Sequence, residues 1–427
     1  MNFLSKIYYK KIKKHVPSSI KQLLHPARTI LGKVSRSTAC KTEKDAFFDF
    51  VFSQNIGPSA DFVPYMQHGD IKSRIKAIAF YLPQYHPIKE NDEWWGNGFT
   101  EWTNVSKAVP QFIGHYQPKL PGELGFYDLR ILDVQRRQIE LAKNYGLYGF
   151  CYHYYWFSGK KLLDLPLNNL LANPDLDFPF CINWANGHWT KKWDGLENNI
   201  LMKQEHSSQD DINFIRETAK LFEDKRYIRI KDKPLIMIYR PAALPNARKT
   251  VELWREHCIK KGIGDIYVIS THTEDYIPPT EFGVDACTEF APNNLMLQSF
   301  AGPLNMVNAD FSGIIFDYES LVKSSSHYKK PKYVKFRSAC PGWDNEARKP
   351  GRGTILTNSG PNNYQKWLEC ICNFTDSYFE DEEKLIFINA WNEWAEGAYL
   401  EPDRKYGYAY LDRTYKTLAQ YNQHDMS

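Results

Sequence analysis

Residues 384–397 read KLIFINAWNEWAEG. A short apolar run ends abruptly in tryptophan, amide and carboxylate side chains. A strand covered on both faces reads as a continuous apolar run rather than an alternation, and Lys384–Trp391 fits that form. Seven other segments repeat it: Lys76–Tyr85, Tyr148–Trp156, Phe178–Trp184, Pro234–Tyr239, Asp265–Thr271, Val284–Phe290 and Pro331–Cys340. Eight such runs, mostly separated by helical stretches, predict an α/β fold, a (β/α)8 TIM barrel over residues 75–415.

Several helices are expected between the runs. Asp128 is predicted to cap one with Ile131, Val134, Leu141, Ala142 and Tyr145 inward. A second spans about 210–222. Thr250 is predicted to cap a third, with Val251, Trp254 and Cys258 on one stripe and Gly262 ending it. Pro361 opens a fourth, with Tyr364, Trp367, Leu368, Ile371 and Tyr378 inward. The link from Thr271 to Val284 is too short for a full helix, and that from Phe290 to Pro331 is long and irregular. A doubly wound open sheet is the alternative, but the first run continues YLPQYHP (81–87) where that fold carries a glycine-rich phosphate loop.

The flanks differ in character. Residues 1–74 read as a basic N-terminal extension, with ten Lys or Arg and no Asp or Glu from Met1 to Thr42. Phe3, Leu4, Ile7, Tyr8 and Ile12 recur near helical spacing, which suits a helix lying on an anionic membrane surface; a solvated tail is the other reading, and both stay open. Residues 416–427 form a C-terminal tail. The net charge of only +4 argues against a nucleic-acid partner. No run approaches the roughly 18 apolar residues of a membrane span, and lysines interrupt any signal-peptide core. The expected location is cytoplasmic, peripheral to the inner membrane face through the basic segment. Cys151, Cys181, Cys287 and Cys340 fall in predicted strands as small hydrophobes.

In a barrel the site is built at the C-terminal strand ends. The runs end in, or carry, Gln84-Tyr85-His86, His153-Tyr154-Tyr155-Trp156, Asn183-Trp184-Ala185-Asn186, Tyr239-Arg240, Thr271-His272, Glu289, Trp343-Asp344-Asn345 and Trp391-Asn392-Glu393-Trp394. Exit to water explains one or two charged ends, but not the recurrence of Trp, Tyr and Asn beside them. Sugars need flat aromatic faces for their CH surfaces and amides or carboxylates for their hydroxyls. Trp94, Trp95, Trp102, Trp184 and Trp189 are the stacking candidates, with Asn183, Asn186 and Tyr154 as hydroxyl partners. Tyr85, His86, His153, Tyr239, Arg240, His272, Glu289, Trp343, Asp344, Trp391, Asn392 and Trp394 complete the expected contacts. Glu393 and Glu396, three apart and flanked by Trp391 and Trp394, are the candidate catalytic pair: one protonates the bridging oxygen, the other serves as nucleophile, base or cation partner. His86, His153, His188 and His272 could converge on a metal, but sugar or core hydrogen bonding is the preferred use, so no metal and no cofactor is expected. Asp175-Leu176-Asp177 precedes a strand and reads as a loop rather than a transferase metal motif.

The segments 76–105 (KAIAFYLPQYHPIKENDEWWGNGFTEWTNV), 148–159 (YGFCYHYYWFSG), 182–190 (INWANGHWT) and 389–403 (NAWNEWAEGAYLEPD) resemble the WbsX-type polysaccharide-biosynthesis proteins, which are glycoside hydrolase family 99-like. The resemblance spans about 75–415 and implies a TIM barrel. By similarity to the endo-α-mannosidases and mannanases of that hydrolase family, whose pair lies in a W-N-E-W-x-E-G segment, it implies that Glu393 deprotonates the sugar 2-hydroxyl. Glu396 would be general acid/base at the glycosidic oxygen. It further implies retention through a 1,2-anhydro sugar, without a metal. Ala395 departs from the His often found there. WbsX-type proteins belong to O-antigen and capsule gene clusters, which implies an enzyme of cell-surface polysaccharide biosynthesis acting on an oligosaccharide or lipid-linked glycan. Three functions follow: a glycosyltransferase, a retaining endo-glycosidase or transglycosylase, and a non-catalytic glycan-binding scaffold.

Overall fold

The computed structural model describes residues 58–191, 196–272 and 277–422, with Thr42, Lys44, Asp45 and Phe48. The amphipathic pattern at 3–12 lies outside the described residues.

All eight apolar runs form strands of one barrel. They are β1 (Lys76–Tyr81), β2 (Gly149–Phe157), β3 (Phe180–Trp184), β4 (Lys233–Ile238), β5 (Tyr267–His272), β6 (Ala286–Glu289), β7 and β8 (Leu385–Ile388). β7 is split into Lys335–Phe336 and Ser338–Ala339. Each strand pairs in parallel with the next from β1 to β7. β8 pairs with β1 on one side and with the second piece of β7 on the other. Arg337 carries the chain between the two pieces, and its carbonyl accepts from the Phe387 amide at 3.0 Å. The circuit is therefore closed, and the open doubly wound sheet is excluded.

Inside the barrel, Phe80 sits 4.8 Å from Phe290, 5.6 Å from Phe387 and 5.9 Å from His153, ring centre to ring centre. This filled layer makes the interior a packed core, and the site lies above it.

The helical layer differs from expectation at its ends. The helix after Asp128 runs Leu132–Asn144, and the Asp128 carboxylate is taken by Arg130 instead of capping it; Ile131 is left exposed. The 210–222 helix is Ser208–Thr218, capped by the Ser207 side chain. The third helix runs Ala247–Lys260, where Asn246 accepts from the Lys249 amide. Thr250 lies one turn inside and donates to Asp211 at 2.8 Å. Pro361 does open Pro361–Tyr378, but Tyr378 is exposed. Among its described residues the short 271–284 link holds the four-residue helix Pro279–Phe282. The long link after β6 contributes Gln298–Ser299 and Ile314–Asp317 to a small outer sheet with Thr354–Thr357. Residues 58–74, at the end of the expected extension, bond to the barrel unit: Val63 bridges Gly407, and Arg74 pairs with Asp376 at 2.6 Å.

The segment after β8 is held from below. Asn392 clips the exit of β1, its Oδ1 accepting from the Leu82 amide at 2.7 Å and its Nδ2 donating to the Leu82 carbonyl at 3.0 Å. The Tyr85 hydroxyl donates to the Asn392 carbonyl at 2.5 Å and accepts from the Trp394 amide at 3.1 Å. The Trp394 ring stacks on Tyr399 at 3.8 Å. Its Nε1 donates to Glu401 at 2.6 Å, as do Gln138 Nε2 at 2.7 Å and the Tyr127 hydroxyl at 2.9 Å. Burial outweighs these donors and pushes the Glu401 carboxyl up to about 7.

The folded protein thus keeps a proton that the unfolded chain releases near 4.5, so this group's contribution to stability falls as pH rises through the window between them. Urea unfolding from pH 4 to 8 should show wild type losing about 3 kcal/mol relative to Glu401→Gln, with the loss complete above pH 7. Parallel pH profiles for the two proteins would contradict the assignment.

Candidate active site

A cavity of about 270 Å³ opens over the barrel, walled at strand ends and just beyond them: Leu82 and Gln84 after β1, His153 and Tyr155 on β2, Ala185 after β3, Tyr239 and Arg240 after β4, Phe290 after β6, and Glu393 and Glu396 after β8. Trp95 and Trp189 add aromatic wall. Period-2 alternation explains the contribution of β2: His153 and Tyr155 face the cavity, so Tyr154 and Trp156 face the helices.

Glu393 and Glu396 reach this cavity because the chain turns between them. Asn392–Glu393 pairs antiparallel with Ala398–Tyr399, and Trp394–Glu396 makes one tight helical turn. Gly397 ends the turn at φ +62°, where an added Cβ would stand 3.0 Å from the Asp344 Cβ. A side chain there meets both backbone strain and a neighbour, which accounts for the glycine of the motif.

Arg348 joins the two acids. Its Nη1 donates to Glu396, and its Nη2 to Glu393 Oε2 at 3.0 Å. The same guanidinium meets Glu101 through Nη2 at 3.1 Å and Nε at 3.3 Å. Three carboxylates therefore surround one largely buried cation. Burial works against the charge of Arg348, but Glu101, Glu393 and Glu396 outweigh it and hold its proton more firmly than in water. Burial raises the carboxyls of Glu393 and Glu396. Arg348 pulls each down again, and mutual repulsion with Glu396 and Glu101 lifts Glu393 well above the usual range. Two interacting acids of this kind titrate as a pair. His153 is pulled down to about 4 by burial and then by Arg348, so its ring is neutral at pH 7.

Local sequence explains how Arg348 arrives there. Asp344 caps the short turn Asn345–Ala347, accepting from the Glu346 amide at 3.2 Å. Glu346 then folds the following loop onto itself, accepting from the amides of Gly351 and of Gly353, the latter at 3.1 Å. Arg348 and Glu101 were not among the sequence candidates. Glu101 lies in the FTEWTN stretch at the start of Glu101–Lys107, its amide donating to the Gln84 carbonyl at 3.1 Å. Arg348 sits in EARKPGRG (346–353), which reads as a solvated turn.

Of the sequence candidates, Trp95, His153, Trp189, Tyr239, Arg240, Glu393 and Glu396 line the cavity. Trp94 stands edge-on behind Trp189 at 5.6 Å. Tyr85, Trp102, Asn392 and Trp394 form the layer beneath the pair, with the Trp102 Nε1 donating to the Tyr127 carbonyl at 2.8 Å. Trp391 is fully buried against Phe150 at 5.1 Å. Alternation turns Tyr154 and Trp184 outward onto Phe214, where Trp184 stacks at 4.4 Å. Asn183 points the other way from Trp184, fully buried within the barrel. Asn186 clips the Arg240 backbone, accepting at 2.7 Å and donating at 2.8 Å.

Glu289 is not brought to the cavity but neutralised by Arg337 at 2.6 Å and Lys335 at 3.1 Å. His272 lies 3.2 Å from the Ile277 carbonyl, and His86 is buried apart from the cavity. Trp343 and Asp344 line a second cavity, described below. Of the four histidines weighed as metal ligands, His153 and His188 line the first cavity and the other two do not. Asp175 and Asp177 pair with Arg136 and Lys143 on the surface.

Comparison with known proteins agrees with this architecture. The barrel matches a glycoside hydrolase-like protein with a TM-score of 0.53 and 14% identity, over 85% of this chain and 99% of that one. It matches the family 99 endo-α-mannosidase of Bacteroides thetaiotaomicron with a TM-score of 0.51 and 16% identity, over 82% and 98%. At these identities the likeness concerns the fold. Among curated sequences, protein WxcX of Xanthomonas campestris pv. campestris is 44% identical over 343 residues, 80% of this chain and 49% of WxcX. The chain thus spans about half the length of the curated relatives it matches. The model of the family described as glycosyltransferase WbsX matches residues 77–414, and the chain belongs to that family of carbohydrate-active enzymes.

Proposed function

We propose that the protein makes or remodels glycosidic bonds in the biosynthesis of a cell-surface polysaccharide of the O-antigen, lipopolysaccharide or capsule type. Glu396 is the general acid/base and Glu393 the base toward the sugar 2-hydroxyl. The observation that carries this reading is the meeting of Glu393 and Glu396 on one guanidinium at the wall of an aromatic-lined cavity. Family membership supports the substrate class.

The step balances without a further reactant. Glu393 takes the 2-hydroxyl proton as the 2-oxygen bonds to the anomeric carbon. The glycosidic bond breaks, and Glu396 gives its proton to the departing oxygen. An incoming hydroxyl then opens the 1,2-anhydro ring, losing its proton to Glu396 while Glu393 returns one to the 2-oxygen. A sugar hydroxyl as acceptor gives transfer, and water gives hydrolysis. A lipid-linked glycan at the inner membrane face fits the biosynthetic reading. The second reading, an endo-glycosidase or transglycosylase of α-mannosidase type, is favoured by the barrel's likeness to the family 99 enzyme.

Incubation with nucleotide sugars and with α-mannoside oligosaccharides should give turnover in one arm. Glu396→Gln and Glu393→Gln should each lower it by about 10²–10⁴-fold while glycan affinity is kept. Binding without turnover in wild type, unchanged by either substitution, would make the protein a scaffold. An aryl glycoside whose leaving group needs no proton separates the two roles: it should restore bond cleavage to Glu396→Gln and not to Glu393→Gln. Equal rescue of both would remove the distinction between acid and base.

A further inference from the structure

A second cavity of about 90 Å³ lies across the Glu396–Gly397 turn from the first: Glu396 lines one and Gly397 the other. Lys119, Lys405, Tyr116 and the hydroxyl residues Thr357 and Ser359 share its wall. The two ammonium groups lie against one ring, Lys119 at 4.4 Å and Lys405 at 4.5 Å from the Tyr116 centre. Asp344 supplies a carboxylate whose Oδ2 is shared by the His115 ring at 2.8 Å, Gln117 Nε2 at 2.6 Å and an ion pair with Lys119 at 3.9 Å. Lys405 also lies 5.1 Å from the Tyr406 ring centre. Its ammonium makes no ion pair or hydrogen bond among the described residues.

That arrangement is costly as it stands. Like charges confined in a low-dielectric recess repel, and each loses hydration. The cost is visible in Lys405, whose ammonium is pulled down to about 8 by burial and then by Lys119, with Asp403 and Asp61 only partly offsetting them. A negative group in the recess would relieve both. Thr357 and Ser359 add neutral donors suited to a tetrahedral set of oxygens.

We propose that this cavity is an oxyanion site that takes a phosphate group within reach of Lys119 and Lys405. The phosphate is either inorganic or carried by a sugar. The site does not touch the Glu393–Glu396 pair. It shares a wall with it, because the Asp344 amide donates to the Glu396 carbonyl at 2.6 Å.

Thermal unfolding of the full chain tests this. Inorganic phosphate should raise the midpoint saturably, beyond sodium chloride at equal ionic strength. Lys405→Met and, independently, Lys119→Met should weaken the apparent affinity by about tenfold or more. A phosphate response no larger than that to chloride, or one retained in whichever lysine variants fold, would overturn the proposal. Mannose 1-phosphate forms the second arm. Tighter binding than inorganic phosphate supports a substrate-borne group, and equal or weaker saturable binding supports the free ion. Glu396→Gln should keep the full phosphate response, so the result stands apart from the proposed glycosidic chemistry.

Discussion

One guanidinium organises the site. Arg348 directs its donors to Glu101, Glu393 and Glu396, acids brought together from two distant parts of the chain. Three carboxylates brought this close without a cation would repel and take up protons. With it, the two acids that face the cavity share one charged partner and are held apart from ordinary surface glutamates by burial. The arrangement is stable only if all four side chains are fixed, since a buried charge that loses its partner costs about 3–5 kcal/mol.

The surrounding structure supplies that fixation. Glu101 is set by a helix start bonded to the Gln84 carbonyl. Glu393 and Glu396 are set by a turn whose underside is clipped by Asn392, Tyr85 and the Trp394–Glu401 contact. Arg348 is set by the loop that Glu346 closes. These supports grow from the ends of β1, β7 and β8, which lie side by side where the barrel circuit closes. Barrel closure and site geometry are thus one constraint: the chain must return β8 to β1 before the pair, its cation and the YLPQY segment can meet.

Much of this was legible in the chain. The eight apolar runs gave the barrel because a strand buried on both faces needs no alternation to be recognised, and the KLIFINAWNEWAEG stretch located the acids. Finer placement failed where two kinds of information were missing. Tyr154 and Trp184 sit beside cavity-facing neighbours, and period 2 sends them outward; the sequence shows an aromatic at a strand end but not which parity faces in. Glu289 looked like a site acid until its partners, Arg337 and Lys335, were seen to come from the next strand. Arg348 was missed because EARKPGRG has the composition of a solvated turn. Only the long-range approach of three acids, 247 positions away in the case of Glu101, makes it a core residue of the site. The helix starts at Asp128 and Thr250 failed for a local reason: Arg130 occupies the Asp128 carboxylate, and Asn246 takes the cap four residues before Thr250.

The most direct test of this account is a carbon-13 NMR titration of the Glu393 and Glu396 carboxyls in the wild type and in Arg348→Met. The account requires both to ionise above the ordinary glutamate value in the wild type, and to move further upward together when the guanidinium is gone. A carboxyl that titrates like a solvent-exposed glutamate and ignores the loss of Arg348 would contradict it.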